Sequence, residues 1–377
     1  MLPRAELRVS QIEMQRRRFA VRQNMRRMGL ETLLVSGIRF VASWGYLRYL
    51  TNWAEPFAGE YLLFPLESEP IFFARTSERV HLIRDVLGIE CRLGSTVPVV
   101  AKEIKDRGLR RVGVCSLRTM LAEFYIGLTR AVPECELIEA AAVIDEARMI
   151  KSEEELRWVH KSAALGDTAY QVFCDMIEPG VTEHQIFTEL DHLVKQAGAE
   201  TTYFMMGAGA NPILRFMDMA THRYENGDLV LFNAEIAGPG GYFTQLVRSV
   251  SLGQPRREVE KTYQVVSGAL ESAETLLKPG AGTMAVYQSI RDCFAKQGYS
   301  LNLHPGHSQG LDIFERPILD GKEDVALHPG MVIILHPYAD LPSGGGAWVG
   351  ETFLITSTGC ERLHRSSRAL MQCETLR

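Results

Sequence analysis

Polar residues that could do chemistry are concentrated in the second half of the chain, at or beside apolar runs. Two follow the apolar run at 229–232, one lies beyond the glycine-rich turn at 238–241, two flank a Pro-Gly step, and two border the apolar runs at 331–335 and 353–355. A polar group buried in such a run costs free energy unless it is hydrogen-bonded or used. The candidates are Asn233, Glu235, Gln245, His304, His307, His336 and Glu351.

These residue types favour two kinds of chemistry. Histidine transfers protons near neutral pH and a nearby carboxylate tunes its pKa, so His307 or His336 could be a general acid or base. Histidines together with a carboxylate can also form a ligand set suited to zinc or ferrous iron. Both interpretations stay open because the residues come from different predicted strands, so their spacing in sequence does not separate them.

The elements expected to position these residues follow from apolar periodicity. Residues 11–29 have apolar side chains at helical spacing and end at Gly29, whereas TLLVSG and RVGVCS are typical of short buried strands. EYLLFPLESEPIFFAR predicts a hairpin with ESEP as its turn. Alternating strands and helices over residues 1–145 indicate an N-terminal α/β domain.

The pattern changes in the second half of the chain. Ser152 and Thr182 are the expected N-caps of two helices, and three strand-like segments follow: TTYFMMG, DLVLFNAEI and GYFTQLVRSVSLG. Helices return at 257–277 and 284–297, and the end reverts to strands. This order predicts an α+β domain with helices on one side of a curved antiparallel sheet, and it divides the chain into domains at 1–147 and 148–377.

Charge and composition exclude several classes of partner. Lysine and arginine number 41 against 46 aspartates and glutamates, a net charge of −5, and an acidic chain without a basic stripe is not expected to bind nucleic acid. No run of about 18 apolar residues predicts a membrane span. Seven scattered cysteines without a CxxC pair indicate reduced thiols and a cytoplasmic location.

Five sequence blocks, in order, resemble one known family. They are ARMIKSEEELRWVHKSA, GDLVLFNAEIAGPGGYFTQLVRSV, GHSQGLDIFERP, HPGMVIILHP and GETFLITSTG, the last resembling a closing strand E-D-T-x-x-V-T-x-x-G. On these blocks the chain is similar to the "pita-bread" group that includes creatinase, aminopeptidase P, prolidase and methionine aminopeptidase. The resemblance implies a creatinase-like α/β N-terminal domain, a pita-bread α+β C-terminal domain, and a homodimer.

The resemblance also implies where the site departs from the family. Metal-dependent members bind two divalent ions with two aspartates, one histidine and two glutamates. The resemblance places Asn233 and Gln245 at the aspartate positions, keeps His307, places His336 at the first glutamate, and takes Glu351 as the last. A centre of two hard divalent ions needs several carboxylates. A standard dinuclear aminopeptidase is therefore not expected.

Three further positions are expected to contact a substrate. The resemblance places Phe216 and Phe314 where the family has histidines, and these phenylalanines are expected to form pocket walls that suit an apolar or aromatic group. His304 is expected near the pocket mouth. Together with the amide and carboxyl side chains, the predicted substrate-binding residues are Asn233, Glu235, Gln245, Phe216, Phe314 and His304.

The resemblance to substituted members such as creatinase implies a hydrolase of a non-peptide C–N bond in a small molecule. It would use no cofactor, with His307, His336 and Glu351 as the catalytic residues. One alternative is a mononuclear zinc or iron enzyme, hydrolytic or oxygen-dependent, with His307, His336, Glu351 and Gln245 as ligands. The other is a binding protein of the same fold without catalysis.

Overall fold

The computed structural model describes residues 9–37, 44–54, 59–115, 117–216 and 221–373. The chain divides into two compact units, Arg8–Arg148 and Met149–Arg377. Each unit has its own sheets and its own buried apolar cluster. The predicted fold class, an α/β N-terminal domain followed by an α+β pita-bread domain, is confirmed.

The N-terminal unit is built on a six-stranded mixed sheet in the order β4-β3-β2-β1-β5-β6. Strand β1 pairs antiparallel with β2 and parallel with β5. The strands are β1 Thr32–Ser36, β2 Tyr61–Pro65, β3 Ile71–Ala74, β4 Glu90–Leu93, β5 Arg111–Cys115 and β6 Glu136–Glu139. The helices are α1 Gln11–Met28, α2 Trp44–Thr51, α3 Ser77–Leu87, α4 Val97–Asp106, α5 Ala122–Ala131 and α6 Ala141–Met149.

Local sequence accounts for most of these boundaries. Helix α1 begins after Ser10, whose hydroxyl accepts from the backbone N–H of Glu13, and ends at Gly29, which has φ +63°. That left-handed conformation suits glycine because it carries no Cβ. The predicted hairpin is present as the antiparallel pair β2 and β3. Helix α2, in contrast, was not predicted, because its tyrosine-rich sequence shows no polar face.

The C-terminal unit contains two five-stranded sheets, in the orders β18-β10-β9-β7-β8 and β12-β11-β13-β16-β17, and a two-stranded ribbon of β14 and β15. Its helices are α7 Glu153–Met176, α8 Glu183–Gln196, α9 Arg257–Glu274 and α10 Thr283–Lys296. Its strands are β7 Thr201–Gly209, β8 Arg215–Phe216, β9 Leu229–Ala237, β10 Phe243–Leu252, β11 Gly306–Ser308, β12 Glu315–Ile318, β13 Val332–Leu335, β14 Tyr338–Asp340, β15 Gly346–Trp348, β16 Glu351–Ile355, β17 Cys360–Arg362 and β18 Met371–Cys373.

The predicted helix starts of this unit are confirmed. Ser152 and Thr182 each form a complete capping box at the start of α7 and α8, with Glu155 and Gln185 as the reciprocal partners. Each box satisfies two backbone N–H groups that the helix itself leaves without a partner.

In the described part of the C-terminal unit, helices cover one face of each five-stranded sheet. Alternate residues of β9 and β10, such as Phe232 and Leu246, join the apolar cluster under α7 and α8. Alternate residues of β13 and β16, such as Ile333 and Phe353, join the cluster under α9 and α10. Because side chains of a strand alternate between faces, the intervening residues of each sheet lie on the face that the helices do not cover. We call these the inner faces.

Among the described residues, no helix is both long enough and apolar enough to cross a membrane.

Candidate functional site

The inner face of β9 and β10 carries a chain of buried polar side chains. The Gln245 amide donates from Nε2 to Oδ1 of Asn233 over 2.8 Å, and Asn233 donates from Nδ2 to Oε1 of Glu235 over 3.2 Å. Strand pairing produces this chain of contacts. Gln245 on β10 lies directly opposite Glu235 on β9, and Asn233 is two residues before Glu235 on the same face of β9. The residues that the resemblance places at the two aspartate positions therefore bind each other.

Glu235 has an unusual environment for a carboxyl group. Its exposed fraction is 6 %, and burial raises its pKa to about 7, opposed only by the hydrogen bond from Asn233. Among the described residues, no cation contributes to this pKa, so the protonated form of the carboxyl group is stabilised. Within the described part of the chain, Oε2 of Glu235 and Oε1 of Gln245 have no hydrogen-bond partner. Two polar oxygens thus remain available to a ligand.

Three histidines form a second group in the neighbouring sheet. His307 lies on β11, His304 is three residues before it, and His336 directly follows β13. Their ring centroids are 5.3 to 5.7 Å apart, and one nitrogen of each lies within 4.8 Å of the other two. The backbone N–H of His336 donates to the carbonyl of Pro305 over 2.7 Å, which ties the two segments together.

These imidazoles are neutral near pH 7. Burial lowers the pKa of His307 well below its usual value, with a further contribution from His336, and burial lowers the pKa of His336 to about 3. The pKa of His304 is lowered by burial as well. A base with so low a pKa accepts protons poorly at neutral pH. This environment disfavours the predicted acid–base role of His307 and His336, and it favours metal ligation, which requires the neutral form.

Aromatic rings enclose the histidines. The ring of Phe314 lies 4.2 Å from that of His307 and 5.6 Å from that of His304, centroid to centroid. Trp348 packs edge-on against His336 at 5.9 Å, and its indole N–H donates to the His336 carbonyl over 2.8 Å. Phe314 is 38 % exposed, so it lies at the solvent side of the group.

The two groups meet on the inner faces of their sheets. Val247 lies directly opposite Asn233 and also forms a backbone bridge with Gly350. A Cβ placed on Gly350 would lie 2.9 Å from Cβ of His336 and 2.7 Å from a Val247 methyl carbon. The backbone N–H of Gln245 donates to the Thr352 hydroxyl over 3.0 Å. Asn233, Gln245 and His336 therefore border one region.

Glu351 does not join this region, which corrects its assignment as a catalytic or metal-binding residue. Its carboxylate accepts from Nδ1 of His364 over 2.6 Å and from the guanidinium of Arg248 over 2.9 Å. All three side chains are fully buried. Because Thr352 faces Gln245, the preceding residue must face the other way, toward the helices. Glu351 is thus part of a buried ion-pair network on the outer face.

The closing motif explains the wrong assignment. When E-D-T-x-x-V-T-x-x-G is aligned to residues 350–359 on its threonines, the first acidic position falls at Gly350 and the second at Glu351. Gly350 lies beside His336, whereas Glu351 pairs with Leu335. The sequence contained a signal for this, because Thr352 matches the threonine of the motif and therefore places Gly350 at its first acidic position. The carboxylate expected at this end of the site is therefore absent from it.

Two residues outside the predicted set belong to this ion-pair network, and one predicted residue is not tested. His364 is not among the candidates from sequence, yet it is 1 % exposed and binds Glu351. Arg248 is not among the candidates either, although a single charged residue in an otherwise uncharged strand is a signal for a buried ion pair. The backbone of Phe216 pairs with Met205, but its side chain lies outside the described residues, so its predicted role as a pocket wall stays a prediction.

Comparison with known proteins agrees with this architecture. A family profile described as "Metallopeptidase family M24" matches residues 157–357, and one described as "Creatinase/Prolidase N-terminal domain" matches residues 17–150. The chain belongs to metallopeptidase family M24. The predicted pita-bread family is thereby confirmed, as is, at the level of the family, the prediction of a hydrolase.

Individual M24 relatives are distant but cover most of the chain. A Xaa-Pro dipeptidase of Pyrococcus horikoshii is 26 % identical over 333 residues, which are 86 % of this chain and 91 % of that protein. An uncharacterized peptidase of Bacillus subtilis, YqhT, is 27 % identical over 282 residues, 74 % and 79 % of the two chains. The crystal structure of a Thermococcus sibiricus prolidase superposes with a TM-score of 0.86 at 22 % identity, covering 97 % of this chain and all of that one.

Membership in M24 corrects the expectation that the chain uses no cofactor. The family is one of metallopeptidases, and among the described residues the structure brings together three histidines whose nitrogens could hold a metal ion. A centre of two ions does not fit the residues present. Asn233 and Gln245 are neutral and bound to each other, Gly350 has no side chain, and Glu351 points away. One ion, held by imidazoles, does fit.

Proposed function

We propose that this M24 chain hydrolyses a C–N bond in a small, non-peptide molecule, with Glu235 as the residue that moves the proton. The observation that carries the proposal is the buried chain Gln245–Asn233–Glu235, in which two amides replace the carboxylates that a two-ion peptidase centre needs. This chain ends in a carboxyl group whose pKa is raised to about 7. A group that titrates near the working pH is suited to both accept and donate a proton.

The proposed reaction uses the free oxygen of Glu235. Oε2, which has no partner among the described residues, would accept a proton from water as the water oxygen bonds to the carbon. The same proton would pass to the leaving nitrogen as the C–N bond breaks, which leaves Glu235 as it began. Oε1 of Gln245 would accept a hydrogen bond from an N–H of the substrate. An ion held by His304, His307 and His336 would supply Lewis acidity.

The burial of these groups supports a small substrate. Asn233, Glu235, Gln245, His307 and His336 are each at most 7 % exposed. An extended peptide would need open space on both sides of the bond that is cleaved. The relatives named Xaa-Pro dipeptidase make dipeptides with C-terminal proline the competing class of substrate, and the loss of the carboxylates argues against it.

The test is a panel of carboxamides, ureido compounds, guanidino compounds and Xaa-Pro dipeptides, with release of amine or ammonia as the measurement. We expect turnover of a non-peptide compound and none of the dipeptides. We expect Glu235→Gln to lower kcat by at least ~100-fold, since it cannot exchange the proton. Glu361→Gln, a change of an exposed glutamate on β17, is the matched control and should retain full activity.

Three outcomes would contradict the proposal. Metal-dependent cleavage of Xaa-Pro dipeptides with kcat unchanged in Glu235→Gln would make the chain a peptidase with a different proton carrier. Heat protection by one compound without turnover of any would favour a binding protein. The absence of both turnover and heat protection across the panel would remove the assignment of this substrate class.

A further inference from the structure

The three inner-face histidines have contacts unlike those of ordinary core histidines. None of them has a carboxylate as hydrogen-bond partner in the part of the chain that the structure describes, and Nε2 of His304 is buried there without any partner. His307 makes one side-chain hydrogen bond, to its neighbouring backbone. A buried polar atom without a hydrogen-bond partner calls for an explanation, and a bound ion is one.

We infer that His304, His307 and His336 form a mononuclear site for a transition-metal ion of the zinc type. The site differs in its ligands from the predicted mononuclear set, because His304 takes part and Glu351 and Gln245 do not. The inference deepens the proposed function, in which this ion would be the Lewis acid, but binding of an ion by these side chains requires neither a particular substrate nor turnover.

The backbone prepares His307 to be a ligand. Its Nδ1–H donates to the carbonyl of Ser308 over 2.9 Å, since a carbonyl can only accept. This fixes the tautomer in which Nε2 carries a free lone pair. Ligating histidines in metal sites use the same arrangement, with the second nitrogen bound to a carbonyl or carboxylate that sets the ring orientation.

The position of His336 is fixed from both sides of its peptide unit. Its N–H donates to Pro305, one residue after His304, and its carbonyl accepts from the Trp348 indole over 2.8 Å. Residues 304–307 and His336 are thereby held at one end of β11 and β13, which pair antiparallel. The three rings come from two tied segments, so little chain ordering remains to oppose binding of an ion.

The ligand types select the ion. Three neutral imidazoles suit zinc, cobalt, nickel, copper or ferrous iron, whereas magnesium, calcium and manganese prefer carboxylate and carbonyl oxygen. Three protein ligands also leave a fourth tetrahedral position open, as in catalytic zinc sites. A second ion is not expected, because Asn233 and Gln245 offer neutral amides that already bind each other.

The experiment is a titration of the metal-free full-length chain with zinc, cobalt and manganese, followed by calorimetry and, for cobalt, by visible absorption. We expect one zinc or cobalt per chain, manganese binding at least ~100-fold weaker, and the intense absorption of four-coordinate cobalt. These readouts do not use activity, so a failed substrate panel leaves them unaffected.

Two variants identify the ligands. His304→Gln should lower zinc affinity by at least ~100-fold, while His328→Gln, which changes an exposed histidine before β13, should leave it unchanged. Circular dichroism and thermal unfolding of the metal-free variants check that each is folded, and His336→Gln provides an independent second ligand variant. Two ions per chain, equal affinity for manganese, zinc binding unchanged in both ligand variants, or no binding at all would overturn the inference.

Discussion

Two buried glutamates on neighbouring sheets have opposite environments. Glu351, on the outer face, binds the guanidinium of Arg248 and the ring of His364. Although burial by itself would raise its pKa, His364 and Arg248 hold the pKa of Glu351 below 4.5. Glu235, on the inner face, has the Asn233 amide as its one hydrogen-bond partner among the described residues, and burial raises its pKa to about 7. A buried charge that is fully paired serves the fold, whereas a buried acid without a cation is available for chemistry.

The largest effect is expected at the outer-face network. Arg248→Met removes the guanidinium and leaves Glu351 with His364 and with Arg362 at 4.0 Å. Breaking a fully buried pair in this way costs about 3–5 kcal/mol of the free energy of unfolding. Denaturation in urea would measure it. Arg291→Met, at a pair that is 52 % and 57 % exposed, is the control and should change stability by less than about 1 kcal/mol. If the two substitutions changed the free energy of unfolding equally, the prediction that the buried pair contributes more to stability would be wrong.

The pH dependence of stability should differ in sign between the two glutamates. The folded pKa of Glu235 lies above the usual 4.5, at about 7, so its contribution to stability is full below pH 4.5 and is lost as the pH rises through 7. The difference of about 2.5 pKa units corresponds to roughly 3 kcal/mol. Stability of the wild type relative to Glu235→Gln should fall by about that amount between pH 4.5 and 8.

Glu351 provides the opposite case for that measurement. Its pKa is lowered, so its contribution is present above 4.5 and is lost as the pH falls through the lower, folded value. Wild type relative to Glu351→Gln should therefore gain stability with rising pH over the acidic range. If the stability differences for Glu235→Gln and for Glu351→Gln changed with pH in the same direction, the two glutamates would not have the opposite pKa shifts that their hydrogen bonds indicate.

A smaller effect is expected when a carboxylate is restored on the inner face. Asn233→Asp places an acid beside Glu235 and removes the Nδ2 donor of their hydrogen bond. Two like charges raise each other's pKa, so the variant should lose about 1–2 kcal/mol at pH 8 and much less at pH 5, as measured by thermal unfolding at each pH. A loss that is the same at both pH values would indicate a packing defect instead.

Sequence patterns predicted the fold and part of the site. The cap at Ser152 and the glycine at the end of α1 could be read locally, because each satisfies its own helix end. Asn233 and Gln245 stood out as amides in apolar strands, and the structure places them in contact. His304 was assigned to a pocket mouth, and it lies within 5.7 Å of His307, ring to ring.

The error at Glu351 has a simple physical cause, which is that a strand has two faces. A shift of a single residue exchanges the inner and outer positions, so Glu351 was assigned to the site although Gly350 occupies the inner position. The position of His364, distant in sequence, could not be found by periodicity, because its partner Glu351 lies on another strand. The expectation of a site without a metal ion was wrong because it gave more weight to the missing carboxylates than to the histidines that remain.

The sequence by itself determined the two-domain architecture, the order of the elements and the amide character of the site, because capping, periodicity and residue type are local properties. The tertiary structure alone decided which face each residue occupies and therefore which charges are paired. It joined Glu351 to Arg248 and His364, left Glu235 with an amide, and brought three histidines together from two segments. Electrostatic environment depends on distances across strands, and those distances exist only in the folded chain.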